Sequence, residues 1–140
     1  MAKTVVVDAS VAVKWFLKEE YSDISLELLK GHVGGSLTLA APALLHYEVL
    51  NALRYSRIFD AERLARIAKI LDDLQLALYS LAGELAVLTA RTAYELDVTI
   101  YDASYIALSR RLGAHLITAD EEITTKYNYA IHISKIKDVL

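Results

Sequence analysis

The sequence of 140 residues contains no cysteine, one proline and one methionine, which is the initiator. Without cysteine the chain forms no disulfide and offers no thiolate to a metal ion. No apolar run is long enough to span a membrane. The N-terminus enters a strand-like run after a single lysine and shows no secretory signal. We therefore expect a cytoplasmic protein.

Labile amides and basic charge are also scarce. Gln75 is the only glutamine, and Asn51 and Asn128 are the only asparagines, which points towards a thermophilic source. The net charge of -3 argues against a protein that coats nucleic acid non-specifically, because such proteins are normally basic. An acidic balance is still compatible with a nuclease whose carboxylates surround metal ions.

Apolar residues make up 55% of the chain, which is enough for a full core in one domain spanning residues 1–140. Val5–Val7 is a β-branched run typical of a strand buried on both faces of a parallel sheet. Three more strands are predicted at 37–40, 115–118 and 130–133. Helices are predicted at 10–18, 22–30, 42–57, 61–74, 83–96, 102–113 and 121–128. Such alternation predicts an α/β fold with a mostly parallel sheet.

Several local signals set these boundaries. Ser10 is a candidate N-cap of the first helix, and Asp60 of the fourth. The glycines at 31, 34 and 35 predict a loop, and Pro42 suits the first turn of the third helix. Residues 76–81 fit either the end of a helix or a short strand.

Three aspartates follow strand-like apolar runs. Asp8 ends TVVVD, Asp102 ends VTIYD and Asp120 ends HLITAD. A charge beside a buried strand is costly unless it is paired, and the carboxyl ends of parallel strands form the usual site of α/β folds. Alternatively, Asp8 and Asp102 cap helices and Asp120 is a turn residue.

A fourth acid, Glu48, lies within the apolar helix PALLHYEVLNAL. If these acids converge, their mutual repulsion requires cations, and carboxylate oxygens suit Mg²⁺ or Mn²⁺. Bound cations of this kind support hydrolysis of phosphodiester bonds by a metal-activated water. Alternatively, Glu48 is an ordinary solvated helix residue.

The segments DASVAVKWF, PALLHYEVLNAL and YDASYIALSRRLGAHLITAD, in this order, resemble the PIN-domain ribonucleases. Within that family the chain is similar to the VapC-type toxins of toxin–antitoxin pairs, over residues 4 to about 133. The resemblance implies a three-layer α/β/α sandwich. It also implies RNA cleavage that depends on Mg²⁺ or Mn²⁺, a cognate antitoxin and a homodimer.

The resemblance carries metal-binding and catalytic roles onto Asp8, Glu48, Asp102 and Asp120. It also implies supporting roles, close to these acids, for three polar residues: Ser10, Asn51 and Thr118. Ser10 as a plain N-cap and Thr118 as an ordinary strand residue remain alternatives. The resemblance further suggests an antitoxin groove near four aromatic residues, for each of which core packing is the commoner explanation: Trp15, Phe16, Tyr47 and Tyr55.

Arg54 and Arg57, with Arg63 and Arg66 on the next helix, are candidates for a basic rim that contacts RNA phosphates. A solvated helix face is the alternative.

Two rival functions remain open. A haloacid-dehalogenase-like phosphatase also places an aspartate after its first strand, but Ser10 stands where such enzymes usually have a second acid. A PIN-like module that binds a partner without catalysis is the non-enzymatic alternative.

Overall fold

A computed structural model describes residues 2–138, and for residue 138 the backbone alone. Residues 1, 139 and 140 of the predicted domain lie outside the described residues. The strands are β1 (Lys3–Val7), β2 (Leu37–Pro42), β3 (Ala77–Tyr79), β4 (Leu116–Thr118) and β5 (Ala130–His132). The α-helices are α1 (Ala9–Ala12), α2 (Ser22–Gly34), α3 (Leu44–Tyr55), α4 (Ala61–Asp73), α5 (Gly83–Leu96), α6 (Ile100–Leu112) and α7 (Glu121–Lys126).

The five strands form one parallel sheet in the order β3-β2-β1-β4-β5. Val5, Val6 and Val7 of the central strand β1 are fully buried, as expected for a strand covered on both faces. The predicted three-layer α/β/α sandwich is confirmed. No helix among residues 2–138 is long and apolar enough to cross a membrane.

The loop predicted at the glycines 31, 34 and 35 starts too early, because α2 continues through Gly31 and Gly34. A Cβ atom at Gly31 would lie 2.8 Å from Cδ1 of Leu37, so the absence of a side chain lets α2 approach β2 closely. Gly35, with a φ of 86°, ends the helix in the left-handed conformation.

Two helix starts differ from the prediction. Pro42 is the last residue of β2 instead of the first turn of α3. Asp8, and not Ser10, caps α1, because its carboxylate accepts a hydrogen bond from the amide of Val11. The predicted 10–18 helix is also shorter, since α1 ends at Ala12 and a 3-10 turn follows over Val13–Trp15.

The strand-like run before Asp102 is not a strand. Helix α5 ends at Leu96, and Thr99 already caps α6 by accepting a hydrogen bond from the amide of Asp102 at 3.1 Å. Too few residues separate the two helices for a strand that spans the sheet. Asp102 therefore approaches the edge of the sheet from the first turn of a helix.

Other local predictions are confirmed. Asp60 caps α4 through the amide of Arg63, and Gly113 ends α6 in the left-handed conformation. The ambiguous segment 76–81 contains the short edge strand β3.

Candidate active site

The carboxyl edge of the sheet brings Asp8 and Asp120 towards each other. Strands β1 and β4 are neighbours, with Val7 paired to Ile117. Asp8 directly follows β1, and Asp120 lies two residues beyond the end of β4. Glu48 reaches this edge from the second turn of α3, which follows β2, and Asp102 from the first turn of α6.

Asp8 is the buried centre of this edge. Its Oδ1 accepts a hydrogen bond from Ser10 Oγ at 2.5 Å and from the amide of Val11 at 3.3 Å. Its Oδ2 accepts a short hydrogen bond from the hydroxyl of Thr118. Both carboxylate oxygens are therefore fixed in place. Only 6% of the residue is exposed. Such support is typical of carboxylates that bind a ligand in a defined geometry.

The two hydroxyls also tie β1 to the segment that follows β4. Ser10 Oγ accepts a hydrogen bond from the amide of Ala119 at 2.9 Å. Thr118 Oγ1 accepts one from the amide of Asp120 at 3.0 Å. The hydroxyl groups of Ser10 and Thr118 thus each donate a hydrogen bond to the Asp8 carboxylate. Each also accepts one from a backbone amide, of Ala119 or Asp120. The N-cap alternative for Ser10 is wrong.

Glu48 has a partner that the sequence analysis missed. The hydroxyl of Tyr105, on α6, donates a hydrogen bond of 2.6 Å to Glu48 Oε1. Tyr105 is itself buried and lies three residues after Asp102 on the same helix. A signal was present in YDASYIAL, where Tyr105 lies three residues after Asp102 and therefore on the same side of the helix as a predicted site acid.

Burial raises the pKa of the Asp8 carboxyl to about 6. The hydrogen bonds from Ser10, Thr118 and Val11 oppose this rise, and the charge of Asp102 adds to it. A carboxyl that keeps a raised pKa despite three hydrogen-bond donors lies where negative charge is strongly disfavoured. A cation at this position would reverse that balance.

Asp102 connects the four acids electrostatically. Burial raises its pKa first, followed by the charges of Asp120, Glu48 and Glu122, while Lys126 lowers it. Asp102 also acts on Asp8. The four predicted acids therefore share one electrostatic environment. Glu122, in the first turn of α7, and Lys126 are neighbours that the sequence analysis did not single out.

The donor set suits a hard divalent cation. Carboxylate oxygens are the ligands that Mg²⁺ and Mn²⁺ prefer, and their repulsion falls when a cation lies between them. As the side chains stand, no three acidic or histidine side chains within residues 2–138 are arranged as a complete metal site. Mg²⁺ commonly binds through one or two carboxylates and keeps several waters, so a pair of these acids is enough to hold an ion.

The raised pKa of Asp8 predicts how the stability of the metal-free protein changes with pH. Because its folded value of about 6 exceeds its ordinary value of 3.8, the folded state holds a proton that the unfolded state releases between these pH values. This group therefore lowers the free energy of unfolding as pH rises through the window, by on the order of 3 kcal/mol in total.

Denaturant unfolding of wild type and Asp8→Asn, in chelator at several pH values, measures this contribution. We expect the wild type to lose stability relative to Asp8→Asn between about pH 4 and pH 6, because only the wild type carries the titrating group. A constant difference between the two proteins across this window would contradict the assignment.

Two grooves that share Arg54 contain the candidate RNA-binding arginines, and one of them is lined by Glu48. One, of about 520 Å³, is lined by residues that include Glu48, Asn51 and Arg54. The other, of about 610 Å³, contains Arg54 and Arg57. Both arginines and Asn51 are exposed. The structure thus puts Asn51 and Arg54 beside Glu48, whereas their roles stay predictions.

The four aromatic residues of the predicted antitoxin groove divide into two pairs. Trp15 is buried and donates its indole N–H to the carbonyl of Ser25, and Phe16 packs against the core. Tyr47 and Tyr55 are exposed on α3. Trp15 is therefore a core residue, as its alternative interpretation stated.

Comparison with known proteins supports the motif resemblance. Among solved structures, the chain is similar to PAE2754 from Pyrobaculum aerophilum, with 29% identity, a TM-score of 0.65 and coverage of 97% of this chain and 95% of that one. It is also similar to a toxin–antitoxin complex from Klebsiella pneumoniae, with 13% identity, a TM-score of 0.71 and coverage of 92% and 97%.

A third similar structure is Mycobacterium tuberculosis VapC20, described as a toxin that cleaves the sarcin–ricin loop. It has 15% identity, a TM-score of 0.66 and coverage of 86% of this chain and 93% of that one. No curated protein matches the sequence. The model of the PIN domain family matches residues 5–128, which is most of the chain. The chain therefore belongs to the PIN domain family.

Proposed function

We propose that this protein is a divalent-metal-dependent endoribonuclease and the toxin of a toxin–antitoxin pair. The observation that carries the proposal is the buried carboxylate of Asp8, held on both oxygens at the carboxyl edge of a PIN-domain sheet. The charge of Asp102 acts on it, and the charges of Asp120 and Glu48 act on Asp102. PIN domains and VapC toxins are nucleases, and similar structures include a toxin that cleaves RNA and a toxin–antitoxin complex.

In this proposal the four acids hold Mg²⁺ or Mn²⁺, and Asp8 provides the fixed ligand. When bound, the cation lowers the pKa of the attacking water and stabilises the leaving oxygen of the phosphodiester. Ser10 and Thr118 keep the Asp8 carboxylate in one orientation, so that it does not rotate when substrate binds. Asn51 lies beside Glu48 and is a candidate to orient a water molecule.

The exposed arginines provide the positive charge that the acidic pocket lacks. Arg54 lines both grooves, of which one contains Glu48 and the other contains Arg57. An RNA strand that follows them would place one phosphate near the acids while its neighbours contact guanidinium groups. The same grooves contain apolar Leu50, Phe59 and Leu64. An antitoxin segment with apolar and acidic side chains would fit this surface and compete with RNA.

Incubation of the purified protein with a structured RNA and with DNA of the same sequence, in Mg²⁺ or Mn²⁺, tests the proposal. We expect endonucleolytic cleavage of the RNA at a limited set of positions. A protein that binds its partner but cleaves neither substrate would instead be the non-catalytic PIN-like module. The PIN-domain match and the hydroxyl of Ser10 in place of a second acid both argue against the phosphatase alternative.

An exposed apolar surface next to the acids supports the proposed homodimer. A groove of about 270 Å³ is lined mainly by apolar side chains, among them Tyr47, Leu81, Ile100 and Tyr101. These four side chains are between 44% and 76% exposed, which is unusual for a cluster of large apolar residues on a monomer. A second copy of the chain packed on this face would bury them.

Replacing Leu81 with aspartate should convert the dimer to monomer at micromolar concentration, because the charge would be buried without a partner. Light scattering measures the change. Val33→Asp is the matched control, since Val33 is equally apolar and exposed but lies on α2, outside the groove. A wild type that is monomeric, or a Leu81→Asp variant that stays dimeric, would contradict the assignment.

A cytoplasmic location is part of the same proposal, because RNA and an antitoxin partner would both be encountered there.

A further inference from the structure

The contact between Tyr105 and Glu48 joins two elements that are distant in sequence. The hydrogen bond of 2.6 Å links α6 to α3 across 57 residues of sequence. Tyr105 is only 2% exposed, and most of its neighbours on α6 are buried and apolar, among them Ala103, Ile106, Ala107 and Leu108. A phenylalanine would fill such a position equally well. The hydroxyl would be costly there if it had no acceptor.

The hydroxyl of Tyr105 restrains the side chain of Glu48. Glutamate has three side-chain torsions, and holding it at one position costs conformational entropy. Tyr105 occupies one lone pair of Oε1, which leaves the remaining lone pairs of the carboxylate free for a ligand. The side chain is therefore restrained without being blocked.

The helix position of Tyr105 extends this restraint to a second acid. Tyr105 and Asp102 are three residues apart on α6, so they project from neighbouring positions of one rigid element. A hydrogen bond from this helix to Glu48 fixes where Glu48 lies relative to Asp102. Asp8 has a comparable arrangement, because Ser10 and Thr118 hold its two oxygens.

We propose that Tyr105 is a positioning residue that holds Glu48 at a fixed place relative to Asp102, so that both carboxylates bind one divalent cation. This inference rests on the proposed metal-dependent function and names the residue that organises half of its ligand set. Hydrogen-bond partners of ligating carboxylates commonly contribute ten- to a hundredfold to metal affinity.

The test compares Mn²⁺ binding by metal-free wild type and Tyr105→Phe, with electron paramagnetic resonance reporting free Mn²⁺. We expect Tyr105→Phe to raise the dissociation constant about tenfold. The concentration of Mn²⁺ that gives half-maximal RNA cleavage should rise by the same factor, with a much smaller change in the rate at saturating metal.

Tyr127→Phe is the matched control. Tyr127 is also buried, and its hydroxyl shares a hydrogen bond of 2.9 Å with Ser109 Oγ, near the opposite end of α6. Both variants lose one buried hydroxyl and should lose similar thermal stability. Only Tyr105→Phe should lose Mn²⁺ affinity, which a merely structural role for the hydroxyl would not change.

A second background shows whether Tyr105 acts through Glu48. In Glu48→Ala we expect the remaining acids to bind Mn²⁺ more weakly, and there Tyr105→Phe should have no further effect. Equal Mn²⁺ affinity of wild type and Tyr105→Phe would overturn the inference and leave the proposed function intact. Loss of the same size in both backgrounds would also overturn it. A wild type that binds no Mn²⁺ would overturn the proposed metal dependence together with this inference.

Discussion

Replacing Asp8 with asparagine should reduce RNA cleavage by about three orders of magnitude, equivalent to about 4 kcal/mol of transition-state stabilisation. Asparagine has the same size and keeps one oxygen acceptor for Ser10 or Thr118, but it removes the negative charge that would hold the cation. Asp8 is the most buried of the four acids and the most firmly held. Replacing Asp8 should therefore reduce cleavage more than replacing Glu48, Asp102 or Asp120, which are less buried.

The same substitution should leave the fold intact and stabilise the metal-free protein near neutral pH. Burial and the charge of Asp102 both disfavour the ionised Asp8, and a neutral amide avoids that penalty. Circular dichroism and denaturant unfolding measure the fold and its stability. Asp23→Asn is the matched control, because Asp23 is an exposed acid in the first turn of α2. Unchanged cleavage by Asp8→Asn would remove Asp8 from the active site.

The sheet was largely predictable because its signals are local. The valines of β1 and the runs at 37–40, 115–118 and 130–133 each carry the composition of a buried parallel strand. The cap at Asp60 and the stop at Gly113 depend on neighbouring residues alone. The element boundaries that were predicted wrongly are those that depend on tertiary packing. Helix α2 continues through Gly31, where the missing Cβ leaves room for the side chain of Leu37 on β2, and no local pattern shows that contact.

The four acids were grouped from the sequence, and the secondary structure expected around one of them was wrong. Asp8 and Asp102 are both followed by alanine and serine, which suggested the same strand-to-helix context for each. Asp8 does follow a strand, whereas Asp102 belongs to a helix that begins at Ile100. The two still converge, because the N-terminus of α6 and the carboxyl end of β1 meet at the same edge of the fold.

The bond between Tyr105 and Glu48 lay beyond the sequence analysis for a physical reason. A tyrosine within an apolar helix is usually a core residue whose hydroxyl reaches any nearby acceptor. Which acceptor it reaches depends on how α6 packs across from α3. The supporting roles of Ser10 and Thr118 came from the family resemblance, and the structure places both hydroxyls in contact with Asp8.

Removal of divalent cations should have the second-largest effect on RNA cleavage. If the four acids hold Mg²⁺ or Mn²⁺, a chelator removes the ion and restores the repulsion among Asp8, Glu48, Asp102 and Asp120. Cleavage should then fall to the level of Asp8→Asn. Added Mn²⁺ should restore it and stabilise the wild type by about 2.7 kcal/mol at a hundred times the dissociation constant. Asp8→Asn should show neither response.

The most direct test of the acids as a catalytic metal site is cleavage of one structured RNA by purified wild type, in EDTA and after stepwise return of Mn²⁺. We predict no cleavage in EDTA, recovery that follows the Mn²⁺ concentration, and no recovery with Asp8→Asn purified in the same way. Wild-type cleavage that persists in EDTA would show that these acids are not a catalytic metal site.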